Sequence, residues 1–236
     1  MKDKDIRKIL ISYLQAQGKE MRIYQEKSIG ASICDVMAVT DQLSGYEIKS
    51  DGDDLRRLDD QVRAYTAFFD ENWLVVSNKH EGSAPDHVPA EWGIVCIDAG
   101  SVQVTRPAKP NRLVNRRRQL SILWKLELKN ILTKNEMPLY AQRDKDFIAD
   151  RIAETVEDGI LQKQIAMELL HRDYSVAGGR APAVDGRQPV NTRKIETNGP
   201  ARTTEPFVLL CVHDINPYQE SICNACCDRT GSPAPL

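Results

Sequence analysis

Residues 32–65 read SICDVMAVTDQLSGYEIKSDGDDLRRLDDQVRAY, and this stretch constrains the fold more than any other. Two runs rich in β-branched and apolar residues, ASICDVMAVT and GYEIKS, flank the polar connection DQLS, the pattern of two strands joined by a hairpin-like turn. A helical pattern follows at once. Asp53 or Asp54 stands where an N-cap belongs, and Leu55, Leu58, Val62, Tyr65 and Phe69 form a stripe at helical spacing that runs to about Phe69. NWLVVS then reads as a short buried strand, and GIVCID and VQVTRP as two more around a turn at Gly100.

Upstream, Ile6, Ile9, Leu10, Tyr13 and Leu14 recur with helical period, and MRIYQE is a short strand candidate. These elements, a helix and three strands followed by a helix and the remaining strands, predict a mixed α/β domain over residues 1–110. LVNRRRQLSILWKLELKNILTK predicts one long helix, and two further helical patterns lie near residues 142–157 and 159–171, so residues 111–174 form a helical appendage. From about Ser175 the chain is rich in Gly, Pro, Thr and Arg with almost no large apolar side chains; it cannot bury enough surface to offset chain entropy, which predicts a disordered linker over residues 175–205. A Cys-rich tail, residues 206–236, follows. Charged residues make up 28% of the chain and no apolar run nears the ~20 residues needed to span a bilayer. The N-terminal segment has its apolar residues spaced by charges and lacks a secretory pattern, so the expectation is a cytoplasmic protein with no membrane association.

The strands carry acids where a buried strand places apolar groups. Alternation puts Asp35 on a face with Ile33, Met37 and Val39. Glu47 and Lys49 share one face of the next strand, with Tyr46 and Ile48 on the other. If the two strands pair, Asp35 and Glu47 converge near one end of the sheet. Two buried carboxylates together cost several kcal/mol, a cost that a divalent cation removes. Hard oxygen ligands suit magnesium or manganese. Such a cation polarises a phosphoryl oxygen and lowers the pKa of a bound water, and an ammonium such as Lys49 orients that water or stabilises developing charge. The plainer reading of the same residues is a cross-strand Asp35–Lys49 salt bridge with Glu47 at a solvated sheet edge. On the following helix Gln61 and Tyr65 are four apart and share a face, while Arg56 and Arg57 on its first turns could meet a phosphate backbone.

Asp35, then Glu47-Ile48-Lys49, then Gln61-x-x-x-Tyr65 resembles the PD-(D/E)XK nuclease superfamily with its restriction-endonuclease-like fold, and the Gln-x-x-x-Tyr element is similar to the branch of RecB-type and lambda-exonuclease-type nucleases. The string GYEIKSDGDDLRRLDDQVRAYTAFFDENWLVVSNKH followed by VPAEWGIVCID is similar to a family of small, mostly uncharacterised bacterial and phage proteins of that superfamily, over about residues 20–130. The resemblance implies a central mixed sheet flanked by helices and magnesium- or manganese-dependent hydrolysis of DNA phosphodiesters. It implies Asp35 and Glu47 as metal ligands, Lys49 as the water-positioning or charge-stabilising group, and Gln61 and Tyr65 as active-site supports. Glu26 is the candidate for an earlier acid. The proline of the superfamily's name is absent, and Cys34 precedes Asp35.

Other features leave alternatives. The net charge of −2 gives no overall case for nucleic acid, but RPAKPNRLVNRRRQLSILWK holds Arg106, Lys109, Arg112, Arg116, Arg117, Arg118 and Lys125 facing no acid within the segment: either a solvated helix start or a phosphate-binding patch, with Arg116, Arg117 and Arg118 the candidates. The helical appendage is either a small DNA-binding module or a structural cap. In the tail, Cys223 and Cys226 form a C-x-x-C that Cys211 and His213 could complete as a zinc tetrahedron; the alternative is a tail without a metal. The reading that joins these features is a magnesium-dependent nuclease acting on DNA without an organic cofactor, with a homodimer where paired duplex cuts are needed. Three others stand beside it: a phage or repair accessory protein that binds DNA without cutting, a zinc-stapled adaptor, and a nuclease acting on RNA.

Overall fold

A computed structural model describes residues 1–174. The linker and the Cys-rich tail, with the zinc ligands expected there, lie outside the described residues. The architecture is α/β: a six-stranded mixed sheet flanked by helices, followed by a helical C-terminal region.

Strands β1 (Arg22–Ile29), β2 (Ser32–Val39), β3 (Leu43–Lys49), β4 (Glu71–Ser77), β5 (Gly93–Asp98) and β6 (Ser101–Arg106) lie side by side in chain order. The first three form an antiparallel meander through tight turns. The β3–β4 and β4–β5 pairs are parallel, and β6 returns antiparallel at the far edge. The parallel centre is covered on both faces, which is why β3 and β4 are nearly continuously buried.

One face is covered by α1 (Asp3–Gln15), whose Ile6, Leu10 and Leu14 pack on Val36, Ala38, Ile48, Val75 and Val95. Acids at Asp3 and Asp5 suit the positive end of its dipole. The other face receives α2 (Asp59–Thr66), which crosses from β3 to β4. A single 3₁₀ turn, Leu55–Arg57, precedes it, capped by Asp54, which accepts from the Arg56 N–H at 2.9 Å. The expected stripe is present, with Leu55, Leu58, Tyr65 and Phe69 buried and Val62 partly so, although the regular helix is shorter than its pattern.

The expected long helix over residues 113–134 is two helices, α3 (Arg116–Leu120) and α4 (Lys125–Lys134). Asn115 caps the first. Glu127 accepts from the Trp124 N–H at 2.6 Å and so starts the second. The break turns the chain so that Leu120 and Leu123, as well as Leu128, Ile131 and Leu132, all reach the interior. With α5 (Lys145–Thr155) and α6 (Asp158–Leu170), these helices share one hydrophobic core with Tyr24, Met37, Leu74 and Ile94 of the sheet. The joint is also polar: Tyr24 donates to the Leu169 carbonyl at 2.7 Å, and the Arg22 guanidinium donates to the Arg172 carbonyl at 2.5 Å.

Candidate active site

The β2–β3 ladder ends at the pair Val36 and Tyr46, and beyond it the strands part. Two side chains fill the fork. The Asp35 carboxylate accepts from the Ile48 N–H at 2.8 Å, taking the place of a backbone acceptor. The Tyr65 hydroxyl, from α2, accepts from the Asp35 N–H at 3.2 Å and donates to the Tyr46 carbonyl at 3.3 Å, bridging the groups that the parted ladder would orphan. Strand alternation therefore stops governing at Asp35: Met37 and Val39 point into the core as expected, Ile33 is 58% exposed, and the Asp35 carboxylate is turned along the sheet.

On β3 the alternation holds. Tyr46 and Ile48 face α1, and Glu47 and Lys49 face α2. Glu47 is 1% exposed. Its Oε1 accepts from the Gln61 amide and lies 2.9 Å from the Lys49 Nζ. Lys49 also donates to the Gln61 carbonyl oxygen at 2.9 Å, so Glu47, Lys49 and Gln61 close a three-membered ring of polar contacts. Glu47 Oε2 is buried with no hydrogen-bond partner. A buried carboxylate oxygen left bare is costly, and Glu47 lies near enough to Asp35 for the two carboxylates to repel.

The Asp35 carboxyl is pushed up to about 7. Burial is the first cause and the charge on Glu47 the second; the Ile48 N–H and Arg7 oppose them. Burial likewise holds the Tyr65 phenol well above its ordinary value, with Cys34, Glu47 and Asp35 adding to the effect, so this hydroxyl stays protonated and acts as a bridge. Tyr65 also sits in the core, its ring 5.1 Å from Phe69 and 5.5 Å from Trp92 by centroids.

Sequence reading missed Arg7. From α1 it donates to Asp35 at 3.3 Å, Glu26 at 2.9 Å and Asp3 at 3.0 Å while almost fully buried. Burial works against its charge, and Asp3 and Asp35 more than restore it. The signal was legible in the spacing: Asp3, Arg7, Leu10 and Leu14 form one helical stripe with a cation where an apolar residue would fit. Glu26, the candidate earlier acid, is held by Arg7 and sits in a left-handed backbone conformation with φ of 50°.

A buried carboxylate with a bare oxygen and a second, half-buried one fit a hard divalent cation better than any soft metal. Among the described residues no three His, Cys, Asp or Glu side chains converge to hold a metal. Asp35 and Glu47 would thus supply two positions, leaving the rest for water and a phosphate, as magnesium sites commonly do. The alternative Asp35–Lys49 bridge is not formed; Lys49 pairs with Glu47 and Asp35 with Arg7.

The basic segment 106–125 divides. Arg116 is 10% exposed and bonded to Asp70, Asp158, Gln119 and Gln162, which makes it an internal tie. Arg117 pairs with Asp146 and Asp150. The expectation that this segment faces no acid is therefore corrected: its acids come from Asp70, just before β4, and from the later helices. Arg118 is exposed with no ion pair among the described residues. Arg56 is exposed and folded back onto Asp54 at 2.8 Å, and Arg57 lies in the same 3₁₀ turn.

A solved structure of a protein of unknown function from Silicibacter pomeroyi is similar at 21% identity and a TM-score of 0.41, over 51% of this chain and 81% of that one. No curated protein matches the chain. Among the described residues no helix is long and apolar enough to cross a membrane. The family model of the bacteriophage P4 protein cII spans residues 1–178, and the chain belongs to that family.

Proposed function

We propose that the fork between β2 and β3 is the active site of a metal-dependent nuclease of the PD-(D/E)XK type, hydrolysing DNA phosphodiester bonds with magnesium or manganese. The observation that carries the reading is the bare, buried Oε2 of Glu47 beside a second carboxylate, with an ammonium 2.9 Å from the same Glu47 side chain. A bound magnesium would supply Lewis-acid polarisation of a phosphoryl oxygen and a more acidic water. Asp35 and Glu47 would hold it. Lys49, fixed by Glu47 and Gln61, would orient the attacking water and offset charge gathering on the phosphoryl oxygens. The water oxygen would bond to phosphorus in line with the leaving 3′ oxygen as the water's proton passes to solvent, and the P–O3′ bond would break with the departing O3′ taking a proton from solvent. Tyr65, which bridges the Asp35 N–H and the Tyr46 carbonyl, would hold the strands in the parted arrangement that this reading needs.

A second reading, a DNA-binding accessory protein that does not cut, draws on Arg7. Its guanidinium already lies against Asp35 and Glu26 and supplies positive charge without a metal.

The test is cleavage of linear duplex, circular duplex and single-stranded DNA, and of RNA, with magnesium, manganese or EDTA, using wild type, Asp35→Ala and Lys49→Ala. The nuclease reading expects metal-dependent cutting that falls about 10²- to 10³-fold in Lys49→Ala, the scale for loss of one transition-state stabilising group. DNA binding without cleavage under any metal would favour the second reading.

A further inference from the structure

Against α2 lies a cavity of about 510 Å³ with apolar and cationic lining residues. Ile29 from the end of β1, and Ala64, Ala67 and Phe68 from α2 and its C-terminal end, line it; Arg63 and Arg118 stand at its edge. Ala64 and Phe68 follow Gln61 by three and seven residues, so they flank the helix face that carries Gln61 and Tyr65. The turn at Gly30 and Ala31 closes one end of the cavity and leads within five residues to Asp35, past the exposed Ile33. Cavity and fork are thus served by the same helix and the same hairpin.

The three consecutive arginines of α3 are spent differently. Arg116 and Arg117 are consumed by acids, whereas Arg118 keeps its charge unpaired among the described residues and opens onto the cavity. Arg63 is engaged by Asp60, so Arg118 is the uncommitted cation. Lys145 donates to the carbonyl of Ser121, another lining residue.

An apolar cavity of this size with one cation at its mouth suits a planar base attached to a phosphate. A base inside an intact duplex is stacked and cannot enter; an unpaired base presents its π face to apolar and aromatic walls and its phosphate to an arginine. We propose that this cavity is a subsite for one unpaired nucleotide of the strand being processed, with the base against Ala64 and Ala67, which overlie the buried Phe68, and the phosphate on Arg118. The subsite makes single strands, overhangs and frayed ends the preferred substrates, and it rests on the nuclease reading only for the word substrate.

The experiment uses the full chain with a fluorescein-labelled single-stranded 12-mer of mixed sequence and a blunt duplex of the same sequence. Affinity is read by anisotropy in EDTA, cleavage in magnesium. Arg118→Glu removes the phosphate contact, Arg118→Gln tests charge alone, and Ala67→Trp fills the floor; thermal melts verify folding. The expected result is a loss of single-strand affinity of about tenfold or more in Arg118→Glu and Ala67→Trp, a smaller loss for the blunt duplex, and a raised KM with kcat unchanged. Single-strand binding and cutting at wild-type levels in folded Arg118→Glu and Arg118→Gln overturn the subsite. So does an equal loss on both DNAs, which would reduce Arg118 to a general phosphate contact. Arg118-dependent single-strand binding by a wild type that cuts nothing leaves the subsite standing and removes the nuclease. Cutting that is indifferent to Arg118 and Ala67 does the reverse.

Discussion

Two carboxyl groups carry the energetics of the site. With burial disfavouring its charge and the charge on Glu47 beside it, the Asp35 carboxyl prefers its proton in the fold far more than in the unfolded chain, where an ordinary carboxyl titrates near 4. Between about pH 4 and 7 the folded state therefore binds more protons than the unfolded one, and metal-free stability falls as pH rises through that window. Asp35→Asn removes the titration while leaving an oxygen for the Ile48 N–H. Thermal melts in EDTA should show wild type losing Tm between pH 5 and pH 8, with the variant nearly flat and more stable at pH 8. Magnesium should restore the wild type at pH 8, by about 2.7 kcal/mol at a hundredfold excess over Kd, and leave Asp35→Asn almost unmoved. An equal pH slope in the two proteins would place the titrating group elsewhere.

At the level of the elements, the segment just after α2 packs on β3 with no room for a side chain at position 45. A Cβ at Gly45 would overlap the Phe69 ring. This contact sets the height of α2 above the sheet, and so the reach of Gln61 to Glu47 and of Tyr65 to the fork. Gly45→Ala should destabilise the fold by about 1–3 kcal/mol as Phe69 is displaced, readable as a lowered urea midpoint at unchanged m-value. If α2 shifts with the ring, activity should fall further than stability alone explains, and Gly45→Ala with Phe69→Leu should recover part of both. The same logic applies to Gly93, whose added Cβ would meet the Trp73 ring, but there no site residue depends on the spacing.

Across the described residues, sheet and C-terminal helices behave as one folding unit because they bury each other's apolar surface. A buried ion pair ties the last helices together: the Arg172 guanidinium donates twice to Glu127 at 2.6 Å, and lies over the Trp124 ring at 4.5 Å. Removing one partner strands the other charge in the interior. Glu127→Ala should cost about 3–5 kcal/mol, and the loss should appear as a lower single transition in both far-UV circular dichroism and tryptophan fluorescence. Two separated transitions would mean that the helices unfold independently of the sheet. Cutting the chain after residue 110 should leave the sheet without a cover for Tyr24, Met37 and Leu74, and the fragment should bind hydrophobic dyes instead of folding.

The sequence by itself determined the elements and one face of the site. Period-2 and period-3.6 patterns are local properties of side-chain direction, so all six strands, the covering helices and the sharing of a face by Glu47 and Lys49 were legible, as was the double life of Tyr65 in stripe and site. Tertiary structure decided what local pattern cannot hold. The single helix expected over residues 113–134 broke because burying two sets of leucines required a turn. Arg116 and Arg117 became ties because their acids are distant in sequence. Asp35 left the strand alternation where the ladder forks. Arg7 entered the site from a helix whose sequence separation from Asp35 hides the contact. Electrostatic partnership depends on distance in space, which only the packed chain defines, and for that reason the identity of each charge's partner could not be read in advance.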